Sequence, residues 1–515
     1  MSKKKYFARS VAFGYGAIVS QIFYSFASIP LALSHLSTAE FGMWGLSSTI
    51  VGYLMLAEMG MTNAVTRHLL ECKDGRDNGK YGRLFTGSAI ALGIVALSIA
   101  GLGLLASQTA WRFFPIPGEL LGRFVNLMIG QTLLLSLTMA TQMLGVPLYV
   151  HHRQDLSQIN QIGLFVIYYV VLRLAFKAEW GIYAMLANQA AGYLWSICFN
   201  FFACSKLGLY PKIASLGLPN RDEWTSVWRY SRDVFSIQVG ALLLSSIPQL
   251  TVARLLGLEA NAMWTITTRS FAILRQMVGR PFDVALPLIY DDYIRGDMKA
   301  VTGRWTDVTQ GILAVAGTVF VVAAANNSAF IDLWTHGRIH WGEANQWLLA
   351  LYFFTITAAS LASGGLGMEM AIGKSRFIGF IQVPLTIALV IPLAELFGLA
   401  GLILGSTLPY MLGIIPFGVR YLASITNHAN GPLLWQGILR PTLATPLAAL
   451  GAWLCSSMNG CLPGYYGLIF SGASGTLVAM AAMMTIGVST RIRNQLTTFA
   501  WKTVSRFLPK RSVAL

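Results

Sequence analysis

Charge is what this sequence has least of. Asp, Glu, Lys and Arg make up 11% of its 515 residues, against roughly 25% in an ordinary soluble domain. Beside a 55% hydrophobic content, that shortage excludes a soluble globular protein and predicts a polytopic membrane protein. Cysteine is scarce as well. The five cysteines include no metal-binding spacing such as a pair of CxxC motifs. Cys455 and Cys461 could meet in an outside loop and oxidise; read otherwise, they are small, buried hydrophobes.

Recognisable catalytic chemistry is also missing. There is no HExxH, no GxSxG and no paired-carboxylate arrangement. GMEMAIGKS at 367–375 has five residues between Gly367 and Gly373, where a phosphate-binding loop needs four and a preceding strand. The pair His336 and His340, with Glu343, has a spacing that can bind metal, but the glycine between them and the interfacial setting favour a loop. His151 and His152 read as a solvated pair facing a helix end. No enzyme activity, cofactor or metal is predicted.

What the chain does have is apolar runs of about twenty residues, the length that crosses a hydrocarbon core. Fourteen are present, at 10–33, 40–64, 84–107, 124–150, 157–177, 180–203, 234–257, 261–288, 305–327, 346–372, 377–397, 399–420, 438–458 and 465–489. The basic head and apolar run at the N-terminus resemble a signal peptide, but the run continues to Leu33. It reads as a retained first helix.

The excess of 37 Lys and Arg over 21 Asp and Glu, a net charge of +16, would suggest nucleic acid in a soluble protein. Here it orients the spans instead, and no nucleic acid is predicted. With the N-terminus inside, 28 of the 37 fall on the inner side, 6 near the outer face and 3 within the eighth span. The bias follows the alternation loop by loop, which predicts both termini inside. The fold class is therefore an all-α integral membrane protein of about fourteen helices, N-in and C-in.

The basic, proline-containing connection 204–233 divides the layout. It separates an N-terminal six-helix bundle at 1–203 from a second at 234–422, with two extra helices and a basic tail at 423–515. Transporters of paired bundles place substrate where the halves meet. Outside loops are short and carry Trp or Phe, as interfacial anchors do.

Three arginines stand inside the eighth span, WTITTRSFAILRQMVGRPFDVALP at 264–287. At 100° per residue Arg269, Gln276, Arg280 and Asp283 share about 60° of arc, joined by Thr265, while Arg275 lies roughly 120° away. Pro281 is expected to kink the span. Arg280 and Asp283 could neutralise each other, and Arg275 could donate to a neighbouring helix. Against a purely structural reading stands an insertion cost of about 2.5–3.5 kcal/mol for each central arginine. A cationic, water-filled path accommodates all three, and arginine forks suit phosphate oxygens. The expected pyrophosphate path is Arg269, Arg280 and Gln276, with Arg275 nearer to a brace. Gln21, Asn63, Gln131, Gln142, Asn188, Gln189 and Gln249 read as cavity lining or as helix–helix hydrogen bonds. Glu58 and Glu369 are the acids placed in spans away from an evident partner, which makes them candidates for ion or proton coupling.

Two stretches carry a family resemblance. HLSTAEFGMWGLSSTIVGYLMLAEMGMTNAVTRHLLE at 35–71 has an acidic-aromatic-Gly turn, then an acidic-x-Gly and a terminal arginine. ARLLGLEANAMWTITTRSFAILRQMVGRPFDVALPLIYDDYIRGD at 253–297 has the Gly turn, the apolar span, the proline and a closing Gly-Asp, and IDLWTHG at 331–337 adds a weaker match. The chain thereby resembles the polysaccharide flippase branch of the multidrug/oligosaccharidyl-lipid/polysaccharide exporter superfamily. Glu58 stands where that branch usually has Asp. Fourteen spans exceed its usual twelve and equal the count in lipid-linked peptidoglycan precursor flippases, whose N-terminal signature is not found here.

The resemblance implies outward flipping, by alternating access, of an undecaprenyl-pyrophosphate-linked oligosaccharide for O-antigen, capsule or exopolysaccharide. It implies a bacterial inner membrane, contact with membrane lipids, and a polysaccharide polymerase or chain-length machinery as a partner. A drug or cation exporter of the same superfamily would call for an acidic cavity, whereas a polymerase or ligase would call for a substantial outer loop.

Overall fold

The computed structural model describes residues 3–494 apart from 59, 73–78, 152, 340, 365–371, 459–461 and 463. Among the described residues there are helices and no strand. Cys461 and Glu369 lie outside them, as does His340, so the expected Cys455–Cys461 contact and the 336–343 pair fall outside what is described.

Among the described residues, each of the fourteen expected spans falls on a helix or a broken pair of helices. In chain order these are α1 (Lys3–His35), α2 (Thr38–Tyr53), α3 (Met61–Cys72), α4 (Lys80–Thr109), α5 (Gly118–Thr141) and α6 (Val146–Val150). There follow α7 (Gln154–Lys177), α8 (Tyr183–Lys206), α9 (Arg221–Thr251), α10 (Gly257–Ile294), α11 (Met298–Trp334) and α12 (Glu343–Ser363). The last are α13 (Ile372–Pro409), α14 (Ile415–Thr426), α15 (Asn430–Leu434), α16 (Arg440–Ser456) and α17 (Tyr465–Ala482). Among the described residues nine helical stretches are long and apolar enough to cross a membrane. One of them, Ile381–Thr426, has 46 residues and contains Gly398 at φ 59°, ψ −133°, so it serves two spans. The protein is a multi-pass membrane protein.

The breaks follow local chemistry. Span two changes to a 3-10 turn at Leu54–Glu58, and Gly60 takes φ 69°, a left-handed conformation that glycine adopts without a Cβ clash. The Glu58 carboxylate accepts from the Thr62 N–H at 2.7 Å, satisfying one of the first donors of α3. The acid expected to stand alone therefore has a backbone partner. Between spans seven and eight, a π turn at Val252–Leu256 and Gly257 at φ 88° reverse the chain. Pro281, expected to kink span eight, does not end α10, which stays helical to Ile294. Membrane helices tolerate proline when neighbouring groups take up the freed carbonyl.

Contacts divide the chain into two compact units, Met1–Ile266 and Thr267–Leu515. In the first, α1 packs on α7, α7 on α8, and α4 on α5, while α3 contacts both α4 and α9. Its core collects Met61, Val65, Leu69, Leu84, Val146 and Val227. Polar groups bond across helices: Gln131 Nε2 donates to Ser48 Oγ at 2.9 Å, Asn188 Nδ2 to Tyr24 Oη at 3.1 Å, and Gln249 Nε2 to Gly45 O at 3.1 Å.

The connection after α8 is pinned to this unit. Glu223 closes a capping box with Asn220 and pairs with Arg83 at 2.8 Å. The hydrogen bond from Arg83 holds the Glu223 carboxyl below its ordinary range. Tyr210 Oη donates to Leu144 O at 3.1 Å.

In the second unit α11 is the central helix, packed against α12, α16 and α17. The α11–α16–α17 contact is built from Ala314, Ala444, Ala448, Ala452, Ala479 and Ala482. Small side chains let membrane helices approach closely where no hydrophobic force drives them together. The two C-terminal helices are thus part of this core.

Orientation is open to a direct check. Reporter fusions at Asn220, Asp297 and the C-terminus should report inside, and fusions at Gly118 and Gly337 outside. An outside C-terminus would remove one span from the count.

Candidate functional site

Helix α10 has 38 residues, about 57 Å at 1.5 Å per residue, well beyond a hydrocarbon core of about 30 Å. Within the second unit its apolar stripe is Phe271, Val278, Phe282 and Ile289, all buried. These fall at one helical angle, and Phe271 stacks on Phe320 of α11 at 6.2 Å and on Phe353 of α12 at 5.5 Å.

Arg269, Gln276 and Arg280 project from the opposite side of the helix, roughly 140–180° away at 100° per residue, and all three are exposed. Packing accounts for the apolar stripe; on the polar side Ile273 is buried as well, while the three polar side chains stay exposed. The predicted members Arg269, Gln276 and Arg280 share one face. The side chain of Asp283 is outside the described set.

Arg275 is placed differently. It is half-buried, and its Nη2 donates to Ser360 Oγ on α12 at 2.9 Å, while that hydroxyl donates onward to Ile356 O at 2.9 Å. Thr265, one turn before the stripe, is engaged inside the first unit: its hydroxyl donates to Asn261 O at 2.8 Å and accepts from Gln249 Nε2 at 3.4 Å. At the far end of α10 the acids are occupied, with Asp291 on Arg295 at 2.6 Å and Asp292 on Arg304 at 3.0 Å. Among the described residues no three His, Cys, Asp or Glu side chains are grouped to hold a metal ion.

Sequence reasoning missed a cavity of about 530 Å³ in the second unit, where α11, α12 and α16 end together. Trp341, Trp347 and Trp453 line it with Asp332 and Gln346. Of the three tryptophans only Trp341 lies in an outer loop read as interfacial, and no local signal brings together residues from three segments.

No protein-family model matches the sequence, and a search of curated proteins finds no relative. Solved structures do match. The lipid II flippase MurJ in an inward closed conformation aligns with TM-score 0.65 at 12% identity, covering 92% of this chain and 98% of that one. An inward-facing multidrug resistance MATE family transporter of the MOP superfamily aligns with TM-score 0.58 at 13% identity, over 79% and 96%. A mutant of the Vibrio cholerae MATE transporter VcmN aligns with TM-score 0.55 at 13% identity, over 82% and 97%. A match over 92% of the chain leaves out fewer residues than 423–515 contains, so the MurJ likeness reaches into the C-terminal helices. The chain has the all-helical fold of the MOP superfamily transporters.

Proposed function

We propose that the protein carries an undecaprenyl-pyrophosphate-linked oligosaccharide from the inner to the outer leaflet of a bacterial inner membrane by alternating access, for cell-surface polysaccharide assembly. The observation that carries the reading is the exposed Arg269–Gln276–Arg280 stripe, set opposite the packed face of α10. Arginines kept out of the core of a membrane helix require an anionic or aqueous environment, and their planar forks match pyrophosphate oxygens. Counted from Gly257, Arg269 lies about 18 Å and Arg280 about 34 Å along the axis. If Gly257 marks the outer end, Arg269 sits near mid-membrane and Arg280 near the inner boundary. They are too far apart to grip one pyrophosphate together, so they act as successive stations.

Energetically the direction is favourable. A sugar-pyrophosphate head cannot cross hydrocarbon unaided, while its polyprenyl tail stays in lipid. Outward movement of an anion in a membrane negative inside releases about 2.3 kcal/mol per charge per 100 mV for a full crossing. The protein needs no chemistry of its own. Its contacts are the lipid-linked substrate, membrane lipids and, outside, the polysaccharide polymerase or chain-length machinery.

The division into two six-helix bundles with a C-terminal pair, joined at 204–233, belongs to the same reading. A second reading, flipping of a peptidoglycan precursor, draws support from the wider match to the lipid II flippase. Deletion of the gene separates them. The first reading predicts accumulation of lipid-linked surface-glycan repeats on the cytoplasmic side and the second accumulation of lipid II; accumulation of neither contradicts both.

Glu58 and Glu369 remain proposed as coupling residues. Glu58 sits where span two changes from a 3-10 turn to α3, and protonation would weaken its hold on Thr62. Transport by Glu58→Gln and Glu369→Gln proteins should lose its dependence on a proton or sodium gradient. Unchanged dependence in both would leave Glu58 as a helix cap and Glu369 without a coupling role.

A further inference from the structure

The tryptophan-lined cavity differs in character from the arginine stripe. Among the described residues its lining holds one carboxylate, Asp332, and no Lys or Arg, a lining that does not attract a pyrophosphate. Its size falls within the range of about 300–1,000 Å³ typical of small-molecule sites.

The loop after α11 builds it. His336 at φ 53° and Gly337 at φ 73° turn the chain back, with the Gly337 N–H donating to Asp332 O at 2.8 Å. Ser328 ties the returning segment down, its hydroxyl donating to Trp341 O at 3.4 Å and its N–H to Gln346 Oε1 at 3.2 Å. Trp341 ends up 5% exposed, and its indole N–H has no partner among the described residues.

Interfacial tryptophans account for a ring half in lipid with its N–H in water, and Trp453, 55% exposed, fits that description. They do not account for a buried N–H on a cavity wall. Buried donors are nearly always satisfied, and of the buried side-chain groups without a partner among the described residues, the Trp341 N–H is the one that stands in this cavity's lining. The rest of the lining says what kind of partner suits it. Indole faces suit the C–H face of a pyranose ring, and Asp332, Gln346, Ser457 and the Trp341 N–H suit its hydroxyl rim.

We propose that this cavity is a saccharide site at the outer end of the second unit, binding neutral pyranose rings rather than phosphate. Only the source of the sugar rests on the proposed function. The rings belong either to the head being delivered or to glycan already outside.

The test uses the full-length protein in lipid nanodiscs prepared without sugar-headgroup detergent. Free mono- to trisaccharides of glucose, galactose and N-acetylglucosamine are titrated by calorimetry and by saturation-transfer NMR. At least one should bind saturably. Trp453→Ala, which removes an exposed ring, should weaken it at least tenfold. Trp341→Phe keeps an aromatic face but removes the pyrrole ring with its N–H, which bonds to no described residue. It should weaken binding several-fold in protein whose melting temperature shows that it remains folded.

Absence of binding across the panel, or full affinity in both variants, would overturn the proposal. Flipping of lipid-linked substrate by the same variants then names the source. Slowed flipping marks the carried head and unchanged flipping marks external glycan, and either supports the site. Because free saccharide is the probe, binding retained in a protein that flips nothing would refute the flippase and leave the cavity standing.

Discussion

Arg269→Ala and Arg280→Ala proteins, compared at matched membrane abundance, are expected to lose about tenfold to a hundredfold of wild-type transport each. That range corresponds to one charge-assisted hydrogen-bonded contact, about 1.5–3 kcal/mol. Arg→Lys should retain part of the activity, since charge persists while the planar fork is lost, and Arg→Glu should retain none. Arg275 should behave otherwise. Its guanidinium is committed to Ser360, so Arg275→Ala should lower folded abundance before it lowers transport per molecule. Exchanging Arg280 and Asp283 is the control: an ion pair serving only structure survives the exchange, and a phosphate station does not. Full complementation of a flippase-null strain by both alanine variants would rule out the cationic path.

A large effect on folding is expected at Gly42, the glycine of the EFG stretch in α2. A Cβ there would fall on the carbonyl of Leu258, and backbone cannot rotate aside as a side chain can. The same crossing carries the Asn261 Nδ2 donation to Gly42 O at 2.8 Å, from a side chain with no exposure. Separating the helices adds overpacking, about 1–3 kcal/mol, to the loss of a buried amide's partner, about 1–3 kcal/mol more. Gly42→Ala should therefore destabilise the protein by roughly 2–6 kcal/mol and deplete folded protein from the membrane. Gly52, in the same helix, has open space where its Cβ would be. Gly52→Ala should be neutral or stabilising by about 0.4–1 kcal/mol. Size-exclusion profiles and melting temperatures of the two variants make the comparison, and equal stability would contradict the close crossing.

How far the sequence reveals the molecule depends on the length scale of each feature. Spans are legible because twenty apolar residues in a row carry their own signal. The two faces of α10 are legible for the same reason: a 100° step separates Arg269, Gln276 and Arg280 from Arg275 without any knowledge of neighbours, and Arg275 goes to Ser360 while the others stay exposed. Interruptions are harder to read. The 3-10 turn at Leu54–Glu58 and the π turn at Val252–Leu256 sit inside or beside apolar runs that hydropathy treats as continuous.

Partner choice is harder still. Gln131, Asn188 and Gln249 look alike in sequence as polar residues within spans, and only packing assigns them to Ser48, Tyr24 and Gly45. Glu58 looked isolated because its partner is a backbone N–H four residues on, which no side-chain pattern shows. The tryptophan cavity is the extreme case, since Asp332, Trp341 and Trp453 are brought together by the alanine-mediated packing of α16 on α11.

The central claim is that the protein itself moves a pyrophosphate-linked glycan head across a bilayer along the α10 stripe. It is tested most directly with purified protein in proteoliposomes that carry a polyprenyl-pyrophosphate-linked oligosaccharide, by measuring how fast the inner-leaflet pool becomes accessible to a glycan-modifying enzyme added outside. The account predicts that wild-type protein exposes this pool, while Arg269→Ala and Arg280→Ala proteins, inserted to the same density, expose it at least tenfold more slowly. Equal rates for wild type, both variants and protein-free liposomes would contradict it.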